Sequence, residues 1–286
     1  MTQTPFYAQE TYQCGPAALA TVLDAAGTTV TPDDLVPQIY LPGRHGSLQI
    51  ELIAASRRHQ RIPYVLAPEA AALFAEVAAG HPVLVLQDLG VGPLHVWHYA
   101  VVIGYSAQPQ RVVLRSGTTR RLEMAFDDFA ATWRKSDFWA LAVLPADVLP
   151  ATADARRYVD SIVPLETLGD FATARTAYTT ALARWPDDPL ALFGLANVDY
   201  RLGDLAAAQA TYRALLARSP GNAIVLNNLA EVLLARGCPN AALDSVDEAL
   251  RGKPDTTIGA AIADTRAKAR AARDAGHAHD AAECAR

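Results

Sequence analysis

Gly169-Asp170-Phe171-Ala172-Thr173-Ala174-Arg175-Thr176-Ala177-Tyr178 returns 34 residues later as Gly203-Asp204-Leu205-Ala206-Ala207-Ala208-Gln209-Ala210-Thr211-Tyr212, and once more as Gly237 with Ala242 and Val246. Pro186, Pro220 and Pro254 keep the same step. Each column has a physical task. The small alanine lets a second helix approach the first, and the aromatic fills the gap between neighbouring repeats. Glycine turns the chain between helices, and proline ends the second helix, where no further amide donor is needed. Four columns held over three copies predict a two-helix unit repeated over residues 155–188, 189–222 and 223–256. A helix over 257–274, rich in Ala, Arg and Lys, reads as the polar cap that closes such a stack.

The period and the residue set together resemble the tetratricopeptide (TPR) repeat. That resemblance implies an all-α solenoid over residues 149–286 that binds a protein partner on its concave face. Residues 1–148 then form a separate domain, and the stretch 145–151, with Pro145 and Pro150, reads as the linker.

Composition narrows the classes. The chain has 286 residues, 51% hydrophobic and 19% charged, with a formal net charge of -5. This is a globular composition, not a disordered one. It offers no basic field for nucleic acid and no polybasic membrane patch. The strongest apolar run, residues 83–89, falls far short of the roughly 18–20 residues of a membrane span. No export signal is visible in residues 1–10, so the chain as written reads as cytoplasmic, and an upstream signal would make it periplasmic. The three cysteines, Cys14, Cys238 and Cys284, fit neither a disulfide framework nor zinc-ligand spacing, and Cys238 and Cys284 read as incidental. No cofactor or metal is implied.

The first domain changes period along its length. Apolar spacing predicts helices over 15–26, closed by Gly27, and over 47–59 and 68–79. Strands follow over 82–86, 96–105, 111–115 and 138–144. Helices first and an antiparallel sheet afterwards make an α+β domain.

Its chemistry lies in two short stretches. In Gln13-Cys14-Gly15-Pro16-Ala17-Ala18-Leu19, Pro16 suits a first helical turn, which places Cys14 at a helix N-terminus. Unpaired amides and the helix dipole favour a thiolate there and predict a pKa below the free value of about 8.5. In His98-Tyr99-Ala100-Val101-Val102-Ile103-Gly104-Tyr105, His98 opens an apolar strand whose end can meet a cysteine on a facing helix. These two stretches, with Gln9 upstream, resemble the bacteriocin-processing, double-glycine-leader cysteine peptidases and their stand-alone relatives, over roughly residues 5–145. The resemblance implies a papain-like fold, a Cys14–His98 pair, and an oxyanion hole completed by a glutamine. Gln9, five residues before Cys14 where the family has six, is the first choice, and Gln13 the second. The ATPase that accompanies exporter-fused members has a P-loop, and none occurs here.

The family orients its histidine with Asp or Asn on the following strand. A hairpin turning near residues 107–108 brings Ser116 opposite His98, and Asp88 on the preceding strand is the alternative. Ser116 can fix the imidazole tautomer but carries no charge to stabilise an imidazolium. The function expected is a cysteine peptidase acting on a peptide or protein through an acyl-enzyme, with the repeats binding substrate or partner. The alternatives are a weak or inactive adaptor working through the repeats, and a Cys-His acyltransferase.

Overall fold

The computed structural model describes residues 1, 3–8, 13–276 and 284. It divides into two compact units, Met1–Ser161 and Ile162–Arg286. In chain order the first unit holds α1 (Cys14–Ala25), α2 (Pro32–Ile39), α3 (Gln49–Arg58), β1 (Ile62–Val65), α4 (Ala70–Ala78), β2 (Val83–Asp88), β3 (Trp97–Ala107), β4 (Gln110–Ser116), β5 (Thr119–Ala125), α5 (Phe126–Trp133) and β6 (Ala140–Leu144). All six strands join one antiparallel sheet in the order β1-β6-β2-β3-β4-β5.

The central strand β2 is buried at all six positions, so it must be covered on both faces. Leu84 and Leu86 of β2, with Tyr99 and Val101 of β3, share a core with Leu19, Val22 and Leu23 of α1 and Leu52 of α3. On the other side, Gln87 donates to Thr132 of α5 at 2.7 Å. Tilted aromatic pairs pack nearby, Phe74 with Phe126 at a centroid distance of 5.5 Å and Phe129 with Trp133 at 5.3 Å. Residues 15–23 of α1 are buried without a break, the mark of a helix apolar all round and enclosed by its domain.

Four elements lie beyond those expected from periodicity. Helix α2 starts with a capping box in which Thr31 and Asp34 satisfy each other's amides, a local signal in Thr31-Pro32-Asp33-Asp34. Strand β1 is four residues long and contains Pro63, and β5 is exposed at nearly every position and carries Arg120, Arg121 and Glu123. Both are edge strands, where short length, proline and charge prevent further pairing. Helix α5 is a short amphipathic helix of eight residues beyond a polar strand.

The segment after β6 is bound into the first unit. The Thr152 amide and hydroxyl both donate to Glu76 Oε1 at 2.8 Å, and Tyr64 Oη bonds the Thr152 carbonyl and the Asp154 amide at 3.1 Å each. The division between units accordingly falls within helix α6 (Ala155–Leu168), later than the 145–151 stretch.

The second unit is a succession of antiparallel helix pairs. After α6 come α7 (Phe171–Arg184), α8 (Pro189–Leu202), α9 (Leu205–Arg218), α10 (Ala223–Ala235), α11 (Pro239–Arg251) and α12 (Thr256–Asp274). The repeat columns hold the positions their chemistry demanded. Ala174, Ala208, Ala242, Tyr178, Tyr212 and Val246 are buried. Gly203 ends α8 in the left-handed region at φ 83, with Gly169 and Gly237 alike. Gly194 is needed for a different reason: a Cβ there would lie 2.2 Å from the Tyr178 ring. Asp170 and Asp204 cap α7 and α9 through their carboxylates. In the third copy that position is Cys238, which caps nothing and is disulfide-bonded to Cys284. The expectation that these two cysteines are incidental is therefore corrected. A bond across 46 residues joins positions that spacing alone cannot pair.

Two outcomes follow from this packing. The unreduced protein, unfolded in denaturant, should titrate one thiol with a chromogenic disulfide reagent and three after reduction. Glu76 is buried, which alone would raise its pKa, but His81 Nδ1 at 2.7 Å and the two Thr152 donors outweigh burial and hold it below the ordinary carboxyl value. A carboxyl depressed on folding stabilises above its unfolded pKa, and that contribution disappears as pH falls through the folded value. Glu76→Ala should lower unfolding free energy by about 3 kcal/mol at pH 7 in a urea titration, and the difference from wild type should shrink in acid.

Candidate active site

Cys14 is the first residue of α1, and Gln13, at the N-cap, supplies no side-chain cap. The first amides of the helix are thus left for other partners. The amides of Cys14 itself and of Gly15 reach the thiol, and so does the backbone amide of Tyr99, the residue after His98. Helix N-terminus and strand start are thereby joined at the sulfur. Gly15 is a matter of space: a Cβ there would stand 2.5 Å from Ser47 Oγ and 2.7 Å from Ser47 Cβ. Opposite, the Tyr99 hydroxyl donates to the Ser47 carbonyl at 3.2 Å.

The thiol departs from expectation. Burial pushes its pKa above that of an ordinary thiol, and the three amides only moderate that rise. A helix N-terminus stabilises a thiolate chiefly where water or a cation completes the solvation, and here most of the surface around sulfur is protein. Burial likewise lowers the pKa of His98. Both groups therefore rest neutral at pH 7.

His98 Nε2 lies 2.8 Å from Ser116 Oγ. Register accounts for the pairing. Val101 stands opposite Arg115, so Ser116 falls opposite Ala100 and is a same-face diagonal neighbour of His98, within reach of an imidazole. The hairpin turns between Ala107 and Gln110, and the bulge between Val102 and Gly104 shifts the pairing by one residue, which brings Ser116 from opposite Val101 to opposite Ala100 and so diagonal to His98.

Asp88 is placed elsewhere. It pairs with Trp97, whereas His98 pairs with Gln87, so alternation puts Asp88 and His98 on opposite faces. Its buried carboxylate accepts from His95 Nδ1 at 2.7 Å and from the Gly90 and Val96 amides at 2.9 Å, with Lys135 Nζ at 3.8 Å. These partners hold it far below the usual carboxylate range, the His95 hydrogen bond first among them. Asp88 orders the loop before β3 and orients His95, whose ring stacks on Trp97 at 5.6 Å. Gln9 lies outside the described residues.

A cleft of about 650 Å³ opens beside the sulfur, lined by Cys14, Ser47, Leu86, His95, Trp97 and Tyr99 among others. Ser47 reads in the sequence as the first residue of a helix, but α3 begins at Gln49, with Leu48 as its N-cap. No periodicity in the sequence distinguishes a helix-start serine from one that walls a cleft. Among the described residues, no helix is long and apolar enough to cross a membrane.

Residues 1–140 match the Peptidase_C39 like family. Residues 167–218 and 194–256 match two tetratricopeptide repeat families. Among solved structures, a putative C39-like peptidase from Bacillus anthracis is 17% identical, with 50% of this chain and 96% of that chain covered and a TM-score of 0.43. The peptidase domain of Streptococcus ComA, a bi-functional ABC transporter involved in quorum sensing, is 18% identical, with 50% and 99% covered and a TM-score of 0.41. A thermophilic TPR protein of Thermus thermophilus is 26% identical, with 41% and 65% covered and a TM-score of 0.38. No curated protein matches the chain. With α1 and β3 meeting at Cys14 and the 34-residue helix pairs following, the chain carries a C39-like peptidase domain and, after it, tetratricopeptide repeats.

Proposed function

We propose that the first unit is a thiol peptidase in which Cys14 is the nucleophile, His98 its base and Ser116 the group that orients His98. The observation that carries this reading is the 2.8 Å bond from His98 Nε2 to Ser116 Oγ, one residue from the Tyr99 amide that holds the sulfur. A neutral imidazole that donates from Nε2 to Ser116 has its lone pair on Nδ1, free to take the thiol proton. Sulfur then attacks the scissile carbonyl, Nδ1 gives the proton to the leaving amine, and water, deprotonated by the same nitrogen, hydrolyses the thioester. Gln9, upstream of the sulfur, is the proposed side-chain donor to the oxyanion, beside the amides of α1.

Two features favour a slow enzyme: Ser116 brings no negative charge to the imidazolium, and burial keeps the thiol protonated. The repeats supply the partner-binding half of the proposal. Between α8 and α10 a groove of about 320 Å³ is lined by Asn197, Tyr212 and Asn228, whose polar side chains bond one another. Groups of this kind take the backbone of a bound peptide or protein segment.

Cys14→Ala should abolish hydrolysis of any substrate found. Ser116→Ala should lower kcat by about three- to tenfold, less than the loss when a buried triad carboxylate is replaced, and Ser116→Asp should preserve or raise it. Asp88→Asn should act through loop order, with a loss of thermal stability. Because thiolate is the reactive form, alkylation of Cys14 by iodoacetamide should rise with pH to a midpoint above that of an ordinary free thiol. A midpoint near or below 7 would mean a pre-formed thiolate–imidazolium pair and would overturn the neutral-pair mechanism.

A further inference from the structure

We infer that His95 is a substrate-positioning residue, whose Nε2 accepts a hydrogen bond from a backbone N–H of a peptide lying in the Cys14 cleft. The inference rests on the peptidase reading of that cleft and names a residue which that reading leaves without a role.

The Asp88–His95 pair runs from the interior to the surface: the carboxylate side chain is 2% exposed and the imidazole 60%. Asp88 is held far below the usual carboxylate range, so at neutral pH it is ionised and can only accept. The proton at the 2.7 Å contact accordingly sits on His95 Nδ1. In the neutral ring this leaves the lone pair on Nε2. Among the described residues nothing bonds Nε2, and the ring lines the cleft together with Cys14 and Trp97.

The ring is also held in place. The Gly90 and Val96 amides bond the same carboxylate, and the Leu89 amide donates to the Val96 carbonyl at 2.9 Å, so the loop is closed at its neck. Trp97 stacks on the imidazole with the two planes 9° apart. Tautomer, plane and direction are thus set by the fold before any ligand arrives, which spares a bound group the entropy of ordering the side chain. A histidine that serves only to keep a surface polar requires none of these constraints.

What completes Nε2 follows from its chemistry. A lone pair needs a donor, and an extended peptide offers one N–H at every residue except proline. Lys135, on the same cleft wall, donates to the Asp88 and Gly90 carbonyls at 3.3 and 2.7 Å and not to the ring. A peptide bound at Nε2 is therefore anchored on a wall that it shares with the sulfur.

Acetyl-Gly-Gly-Gly chloromethyl ketone tests this without turnover: the thiolate sulfur bonds the methylene carbon and chloride leaves. Three companion reagents each carry an ester oxygen in place of one backbone N–H, which removes that donor and keeps the chain length. With full-length protein at mildly alkaline pH, inactivation should saturate. One of the three esters should need about fivefold more reagent for half-saturation, the loss of one hydrogen bond. In His95→Phe the amide reagent should need that same increase and the ester no more than the amide, with the limiting rate and the iodoacetamide rate unchanged. A residue that merely ordered the loop would weaken amide and ester alike, so a wild-type ratio retained in His95→Phe overturns the inference. So does a wild-type protein that saturates yet tolerates all three esters, a result that leaves the peptidase reading standing. A fall in the iodoacetamide rate in His95→Phe would make His95 a base for the thiol and end the positioning role. Failure of the wild-type protein to saturate would remove the peptide cleft itself, and both readings with it.

Discussion

Tyr99 joins the parts of the first domain that would otherwise be independent. Its ring is buried in the core shared by α1, α3 and the sheet, in a T-shaped pair with Trp139 at a centroid distance of 5.9 Å. Its amide reaches Cys14, its hydroxyl holds Ser47, and its position in β3 places His98 one residue away. Helix, loop and strand come from distant parts of the chain, so their meeting must be enforced by packing. A fully buried aromatic with polar atoms at both ends does so, because displacing it would strand several partners at once.

That same packing shapes the chemistry. Enclosing the sulfur gives a fixed geometry but removes the solvation that would support a thiolate, and burial affects the imidazole in the opposite sense for the same reason. A carboxylate beside His98 would offset the second effect. The nearby carboxylate, Asp88, is instead committed to His95 and two loop amides on the opposite face. The proposed site is thus assembled from neutral groups, with the Ser116 hydroxyl, 2.8 Å from His98 Nε2, in the place of a carboxylate.

The repeat unit shows a different economy. Gly, Ala and Tyr recur because each helix pair meets its neighbour through the same contacts. Departures from the columns are therefore informative. Cys238 stands where Asp170 and Asp204 cap their helices, exchanging a cap for a covalent tie to Cys284. The Cys284 carbonyl further accepts from Gln209 and Arg213 of α9.

Local pattern alone determined the helix pairs and their turns, the start of α1 at Cys14, and the four core strands. In each case the physics is short in range: a 34-residue period, a proline in a first helical turn, alternating burial along a strand. Polar edge strands escaped because nothing apolar marks them, and α2 because its signal is a cap and not a stripe. The tertiary structure decided whatever depends on residues far apart in sequence. It set the raised thiol pKa through burial, paired Cys238 with Cys284, and gave Asp88 to His95 through the face it occupies. It also chose Ser116 as the partner of His98 Nε2, through the register of β3 against β4.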